Sequence, residues 1–139
     1  ARFHRRAGER CASAPPRARR QMGRPSRSLN VCEKGHKITV SIYKLTQSFP
    51  KEEMYGLTSQ IRRASTSIPT NIAEGCGRGS DADFARFLQM SFGSANETEY
   101  LLLLCFELGY ISEESYLELN ISIQEIKKML SKLIITIRK

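Results

Sequence analysis

The chain repeats apolar and small residues at alternating steps of four and three, and this spacing restricts its fold more than any other feature. In one stretch the repeated positions are Phe84, Leu88, Ser91, Ala95, Thr98, Leu102 and Cys105. In a later stretch they are Tyr116, Leu119, Ile123, Ile126, Leu130, Leu133 and Ile137. Such heptad spacing puts the repeated side chains on one face of an α-helix. We therefore predict two long helices that bury matching faces.

Residues typical of helix ends mark the limits of both helices. Ser80, with Asp83 three residues later, is placed to cap the first of them, and Gly109 is placed to end it. Ser112 is placed to begin the last helix, because a serine side chain accepts a hydrogen bond from a free backbone N–H at a helix start. The connection between the two helices is therefore short, and we expect them to be antiparallel.

Two more helices are predicted before these. The first extends from about Val31 to Ser48 and has apolar residues at steps of three and four. The second opens at Pro50, a residue favoured at the first helical position, and has Glu52 and Glu53 in its first turn. Four helices with short connections predict an all-α chain, an antiparallel up-down-up-down four-helix bundle over residues 31–139.

Pro69 interrupts the apolar rhythm of the second helix. A proline has no N–H, so the carbonyl of Ser65, four residues earlier, loses its helical hydrogen bond. We expect the helix to kink or restart here, with the hydroxyl of Ser65, Thr66 or Ser67 bonding the freed backbone.

Glycines and polar residues follow the proline, and we interpret them as structural. Gly75, Gly77 and Gly79 are predicted to end the helix. Asn71 and Glu74 are expected to form a hydrogen-bonded bridge to a neighbouring helix. No strand precedes these glycines and no Gly-Lys-Ser or Gly-Lys-Thr follows, so a phosphate-binding loop is disfavoured.

Three short sequence motifs indicate a family resemblance. They are SQIRRA at 59–64, SIPTNIAEG at 67–75 and GRGS at 77–80. From about Val31 to its C-terminus, the chain resembles the four-helix bundle proteins encoded in intervening sequences of bacterial 23S rRNA genes. The resemblance implies a ring-forming homo-oligomer, typically a pentamer. Similar proteins include an accessory factor of diversity-generating retroelements, which implies nucleic acid and a reverse transcriptase as candidate partners.

Residues 1–30 hold the whole net charge of the chain. They contain nine arginines and one glutamate, whereas residues 31–139 contain 13 basic and 13 acidic side chains. With three prolines, few apolar residues and no periodicity, this tail is expected to be disordered. It suits three roles: an arm that binds RNA phosphates, a targeting segment, or an extension without a function.

The antiparallel topology separates the remaining charges into two ends. The end formed by the starts of helices one and three has nine basic and five acidic side chains, and the opposite end has two basic and six acidic ones. A basic end attracts polyanions, and a symmetric ring would place several such ends on one face. We expect nucleic-acid contacts from Arg62, Arg63, Arg78, Arg86, Lys127, Lys128, Lys132 and Arg138.

Several of these cations also suit roles that need no nucleic acid. Those near the end of the last helix complement the helix dipole without any ligand. Arg62 and Arg63 fit a solvated face or an ion pair between subunits as well as a nucleic-acid contact.

A second apolar stripe lies beside the heptad seam of the last two helices. It either widens the bundle interior or forms an interface between subunits. Its members are Phe87, Met90, Leu101, Leu104, Leu108, Ile134 and Ile135.

The chain has few side chains suited to catalysis. It has two histidines, and its four cysteines are scattered, so we expect no catalytic site, no metal and no cofactor. The longest apolar run, 100–106, is far shorter than the roughly 20 residues that a membrane span needs. Scattered cysteines also fit reduced thiols in a cytoplasm.

These features favour a non-enzymatic oligomeric scaffold that binds RNA, DNA or a nucleic-acid enzyme such as a reverse transcriptase through its basic end. The alternative is a structural or protein-interaction oligomer with no nucleic-acid role. The first hypothesis depends on the charge polarity, because no motif in the chain has a chemistry of its own.

Overall fold

The computed structural model describes the backbone from residue 25, and the side chains from residue 27, to the C-terminus. Most of this part is helical: α1 is Pro25–Thr46, α2 is Leu57–Cys76, α3 is Asp81–Glu107 and α4 is Glu113–Arg138. A 3₁₀ turn, Lys51–Glu53, lies between α1 and α2. No strand occurs among the described residues. The predicted all-α class is confirmed.

The helices form an antiparallel four-helix bundle. Each helix packs against the next one in the chain, and α4 closes the bundle against α1. The contact between α2 and α3 is the most extensive, and that between α1 and α4 is the least. The largest fully buried side chains come from all four helices and include Ile42, Ile61, Ile68, Leu88, Leu102, Ile126 and Leu130.

α1 begins at Pro25, six residues before the predicted start at Val31. Proline suits the first turn of a helix, because the N–H that it lacks would have no helical partner there. Ser28 and Val31 are both buried, so the first turns of α1 belong to the bundle. The predicted boundary between the tail and the bundle is therefore too late. The prediction of disorder falls mostly on residues 1–24, which lie outside the described residues.

α2 does not begin at Pro50 as predicted. Pro50 precedes the 3₁₀ turn instead, and α2 begins after Gly56. The backbone of Gly56 has φ −109° and ψ −112°, far from helical values. Glu53 stabilises this later start, because its Oε2 accepts a hydrogen bond from the Leu57 N–H at 3.0 Å.

Pro69 lies inside α2 without ending the helix. The Ser65 carbonyl, to which Pro69 cannot donate, lies 2.9 Å from the Thr39 hydroxyl of α1, which shares its one proton between this carbonyl and that of Gly35 at 2.8 Å. The hydroxyls of Ser65 and Thr66 both donate to the Arg62 carbonyl instead. The predicted restart and the local bond to the freed carbonyl are therefore wrong, since a neighbouring helix supplies the donor.

Three helices meet closely around this proline. A Cβ added to Gly35 of α1 would lie 3.1 Å from Cγ2 of Ile68 and 3.4 Å from Cδ of Pro69. The Cys32 thiol approaches the Pro69 carbonyl oxygen at 3.8 Å. From the other side, the Ser91 hydroxyl of α3 donates to the Ile68 carbonyl at 2.8 Å. Polar contacts therefore hold α2 between α1 and α3 in the middle of the core.

The residues at the end of α2 differ from the prediction in two places. The predicted bridge from Asn71 and Glu74 to a neighbouring helix is wrong. Nδ2 of Asn71 donates to the Ser67 carbonyl within α2 at 2.8 Å, and the Glu74 carboxylate lies 3.8 Å from Arg78, four residues later. Gly75 does not end the helix but lies buried in its last turn. Gly77 caps α2 with φ −88°, and Gly79 is exposed in the turn that follows.

The predicted ends of α3 and the start of α4 are confirmed. The Ser80 hydroxyl accepts a hydrogen bond from the Asp83 N–H at 3.2 Å, and the Ser112 hydroxyl accepts one from the Ser115 N–H at 3.1 Å. Gly109 follows α3 with φ 78°, a left-handed conformation that glycine adopts without strain.

The second apolar stripe is divided between the interior and the surface. Part of it widens the core, and the remainder is exposed. Phe87, Leu101 and Ile134 are buried, Leu104 is half-buried, and Met90, Leu108 and Ile135 are exposed.

Replacing Gly75 by alanine should destabilise the protein, although alanine favours helices. The added Cβ would lie 2.9 Å from Cδ2 of Phe84 and 3.0 Å from Cβ of Phe87, so α2 and α3 would have to separate. We expect the free energy of unfolding to fall by about 1–3 kcal/mol in urea denaturation.

Gly93→Ala is the matched control. Gly93 lies on the exposed side of α3, and no atom lies within 4 Å of an added Cβ. This substitution should raise the free energy of unfolding by about 0.5–1 kcal/mol. Equal stabilisation by Gly75→Ala would contradict the close approach of α2 and α3.

Candidate nucleic-acid interface

The antiparallel arrangement gathers cations at one end of the bundle, which contains the first turns of α1 and α3 and the last turns of α2 and α4. Arg27 joins this basic end because α1 begins at Pro25. Some of these cations are paired with carboxylates and others are not. The remaining members are Lys34, Lys37, Arg78, Arg86, Lys127, Lys128, Lys132, Arg138 and Lys139.

Two arginines of this end lie against the ring of Phe87. The guanidinium carbon of Arg78 is 4.5 Å from the ring centroid, and that of Arg86 is 4.8 Å from it. Arg78 also lies 3.8 Å from the Glu74 carboxylate, and Arg86 lies 3.0 Å from the Asp83 carboxylate. Both guanidinium groups are therefore held in place, and each already has an anionic partner.

Arg62 connects α2 to α1. Its Nε donates to Oγ1 of Thr46 at 2.8 Å, and its Nη2 donates to the Tyr43 carbonyl at 3.3 Å. The guanidinium also lies over the Tyr43 ring, 4.7 Å from the centroid. These contacts leave Arg62 little freedom to meet a ligand. Its neighbour Arg63 is exposed and forms no ion pair with another described residue.

Lys127 is bound to Glu99 of α3. Its Nζ lies 3.0 Å from Oε2 of Glu99, and Nε2 of Gln124 donates to the same oxygen at 2.6 Å. Burial alone would raise the pKa of Glu99, but the hydrogen bonds from Lys127 and Gln124 outweigh it and lower that pKa. Glu99 is therefore ionised at neutral pH, and it neutralises Lys127.

Lys34 of α1 reaches Glu125 of α4, with 2.8 Å between Nζ and Oε2. The hydrogen bond from Lys34, reinforced by its charge, lowers the pKa of Glu125. Both side chains are about half exposed. This ion pair spans the contact between α1 and α4, where the helices pack least extensively.

A cleft follows this contact between α1 and α4. Its larger part has a volume of about 350 Å³, and a second part of about 280 Å³ adjoins it. Both parts have Asn30 and Met129 in their walls, so they are neighbours along the same helix pair. Ser41 of α1 and Ser122 of α4 also line the cleft. Small polar side chains bury little apolar surface, which explains the loose packing of this helix pair.

Cations without an ion pair lie around the cleft, whose wall also contains the carboxylate of Glu33. Arg27 and Lys37 belong to its α1 wall, and Lys132 belongs to its α4 wall. Lys128, about one turn before Lys132, is exposed on the same helix. Within the described part of the chain, none of the four forms an ion pair. We call the cleft together with these four residues the basic cleft.

The structure thus divides the eight cations predicted to contact nucleic acid. It also brings to the cleft Arg27, which was predicted to belong to the tail, and Lys37, which was counted at the basic end but not among the predicted contacts. The bundle topology could have predicted both residues, because α1 and α4 are neighbours in an up-down-up-down bundle and their cations therefore lie close together. Arg62, Arg78, Arg86 and Lys127 have intramolecular partners, whereas Arg63, Lys128, Lys132 and Arg138 have no ion pair among the described residues.

Groups suited to metal binding or nucleophilic chemistry are sparse in the described region. It holds no group of three or more His, Cys, Asp or Glu side chains that could bind a metal ion. None of its helices is long and apolar enough to cross a membrane. Cys32, Cys76 and Cys105 are buried. Burial, assisted by the charge of Glu53, raises the pKa of Cys105 to about 11, so this thiol stays protonated.

Known proteins share this fold. The chain is similar to a crystal structure, at 1.70 Å resolution, of a protein of unknown function from the S23 ribosomal protein family of Bacteroides thetaiotaomicron VPI-5482. The sequences are 35% identical and the TM-score is 0.72, over 78% of this chain and 97% of the other. No curated protein matches the chain.

The family comparison agrees with the start of α1 in the structure. The model of the 23S rRNA-intervening sequence proteins matches residues 27–132, which is more than half of the chain and covers α2, α3 and most of α1 and α4. The chain therefore belongs to the family of 23S rRNA-intervening sequence proteins.

Proposed function

We propose that the protein is a non-enzymatic oligomeric scaffold that binds RNA or DNA through the basic cleft. The observation that supports this most is the lack of carboxylate partners for the four cations of the cleft among the described residues. A cation that is already paired must give up its carboxylate to bind a phosphate. An unpaired cation instead releases counterions from the nucleic acid at no such cost.

The placement of these cations suits a phosphate backbone. Arg27 and Lys37 stand on one wall of the cleft, and Lys132 stands on the other. Two carboxylates, Glu33 and Glu125, also line the cleft, but its cations outnumber them, so the net field around this concave surface attracts a polyanion. Because phosphate contacts do not distinguish bases, we expect binding to both RNA and DNA, with strong salt dependence and little sequence preference.

A nucleic-acid enzyme such as a reverse transcriptase is the protein partner that we propose, since it would act on the strand that the scaffold holds. This part of the proposal rests on the resemblance to retroelement accessory proteins. The cytoplasm is the proposed compartment, because the scattered cysteines suit its reducing conditions.

Exposed apolar side chains on α3 and α4 support self-association. Tyr100 and Leu103 of α3 are 61% and 38% exposed, and Leu117 and Ile121 of α4 are 49% and 60% exposed. We call these four residues the apolar face. A homo-oligomer, which the family resemblance makes a pentameric ring, would bury such a surface between its subunits.

Contacts between α3 and α4 bring the members of the apolar face together. The rings of Phe106 and Tyr116 stack with centroids 4.9 Å apart. Further along the same two helices, Gln124 donates to Glu99 at 2.6 Å. The four apolar residues lie along the helix segments between these two contacts, so they form one surface on the outside of the bundle.

The alternative function is a structural or protein-interaction oligomer with no nucleic-acid role. The apolar face alone favours it, because self-association does not need the basic cleft. A binding measurement separates the two functions.

Removing three cations of the basic cleft should weaken nucleic-acid binding. In the full chain, Lys37→Gln, Lys128→Gln and Lys132→Gln together should lower the affinity for single-stranded RNA about tenfold or more in roughly 0.1 M salt. The slope of log affinity against log salt should become shallower by about 2–3. Fluorescence anisotropy titrations at several salt concentrations measure both quantities.

A matched triple variant removes the same charge away from the cleft. Lys44→Gln, Lys51→Gln and Arg63→Gln change exposed residues without ion pairs in the described region. This variant should lose less than about threefold in affinity. Equal losses in both triple variants would mean that net charge alone attracts the RNA.

A truncated chain that starts at Pro25 separates the cleft from the tail. If this chain does not bind, the activity belongs to residues 1–24 and not to the cleft.

Ile121→Glu should reduce the size of the oligomer, because it places a charge in the centre of the apolar face. Multi-angle light scattering measures the mass. Ile135→Glu is the control, since Ile135 is 58% exposed on the same helix but lies outside this face. Unchanged mass in the Ile121 variant, or a monomeric unmodified chain, would contradict the proposed interface.

A further inference from the structure

The end of the bundle opposite the basic cleft has negative charge that the described chain does not neutralise. Six glutamates lie there with only Lys44 and Lys51 as cations, and none of these eight side chains forms an ion pair with another described residue. We call this region the acidic end. Its glutamates are Glu52, Glu53, Glu107, Glu113, Glu114 and Glu118.

Large apolar side chains are exposed among these carboxylates. Met54 is 53% exposed, Tyr55 is 94% exposed and Leu108 is 51% exposed. They belong to two connections that meet at this end, since the rings of Phe49 and Tyr110 pack with centroids 5.3 Å apart. Such a surface suits a partner that combines positive charge with apolar groups.

The chain itself contains a segment of this chemistry. Residues 1–24 hold eight arginines and one glutamate, with Phe3 and Met22 as large apolar residues. Arginine suits the acidic end better than lysine would, because a guanidinium can bind a carboxylate through two hydrogen bonds. It also stacks on aromatic rings, and Tyr55 presents an almost fully exposed ring.

The segment is long enough to reach the acidic end of its own bundle. α1 has 22 residues and therefore spans about 33 Å between the two ends. An extended segment of 24 residues spans about 80 Å, so less than half of it is needed to cover that distance. A tethered segment has an effective concentration near the millimolar range, which favours its own bundle over a copy in another assembly at micromolar protein.

We propose that the arginine-rich segment of residues 1–24 folds back along its own bundle and binds the acidic end, with guanidinium groups on the glutamates and on the ring of Tyr55. Because these ion pairs are exposed, salt weakens them. Nucleic-acid phosphates compete for the same arginines, so a bound strand displaces the segment. The contact uses the end opposite the basic cleft and does not depend on nucleic-acid binding there.

Cys11 allows the contact to be tested in the full chain. It is the only cysteine in the segment, and the other three are buried, so a nitroxide spin label attaches selectively to Cys11. If the segment binds the acidic end, the label should broaden the backbone amide NMR signals of Met54, Tyr55 and Leu108. The broadening should disappear in about 0.5 M NaCl, where exposed charges are screened within a few ångströms.

Two matched sets of substitutions test the role of the glutamates. Removing charge at the acidic end should abolish the broadening, whereas removing the same charge elsewhere should leave it unchanged. The two sets together change six residues. All six are exposed and none forms an ion pair in the described region, so both triple variants should keep the fold. The first set is Glu52→Gln, Glu107→Gln and Glu113→Gln, and the second is Glu33→Gln, Asp81→Asn and Glu97→Gln.

Two results would overturn the proposal. One is broadening that is confined to the first turns of α1 or that persists in the variant with a neutralised acidic end. The other comes from a mixed sample. Chains that carry the nitroxide but no isotope are unfolded and refolded together with isotope-enriched chains that carry no nitroxide. Full broadening of Tyr55 in that sample would mean that the segment binds a second copy and not its own bundle.

Discussion

The Ser65 carbonyl imposes the constraint on which the bundle depends most. Pro69 leaves it without a helical donor, and an unpaired buried carbonyl costs about 1–3 kcal/mol. The Thr39 hydroxyl of α1 supplies a hydrogen bond to it, sharing its one proton with the Gly35 carbonyl of its own helix. One turn away, the Ser91 hydroxyl of α3 bonds the Ile68 carbonyl of the same helix. These two contacts fix the rotation and register of α1 and α3 against α2 at one level of the core.

This register decides which charges meet at each end of the bundle. With α1 fixed against α2, Arg27 and Lys37 line the cleft opposite Lys132 of α4. Other cations bind groups within the bundle. Arg62 of α2, for example, donates hydrogen bonds to Thr46 and Tyr43 of α1. The candidate interface is therefore a consequence of helix register and pairing. Because helix register and ion pairing decide which cations stay unpaired, a chain can form a basic surface without a recognised binding motif.

Local signals in the sequence predicted the second half of the fold well, because heptad spacing and caps such as Ser80 and Ser112 act within one helix. The starts of α1 and α2 were wrong for the same local reason. The arginine-rich composition around Pro25 suggested disorder, and Pro50 suited a helix start that a 3₁₀ turn occupies instead. The partners of each arginine could not be predicted, since they depend on distances between helices that no local pattern contains.

A double-mutant cycle of Thr39→Val and Pro69→Ala tests most directly whether Thr39 replaces the hydrogen bond that Pro69 cannot make. In the Pro69→Ala background, the alanine N–H can bond the Ser65 carbonyl inside α2. We expect Thr39→Val to lower the free energy of unfolding by about 1–2 kcal/mol in the natural background, and by about 1 kcal/mol less in the alanine background. Equal costs in both backgrounds would show that the carbonyl does not depend on Thr39 and would contradict the central role of this hydrogen bond in the bundle.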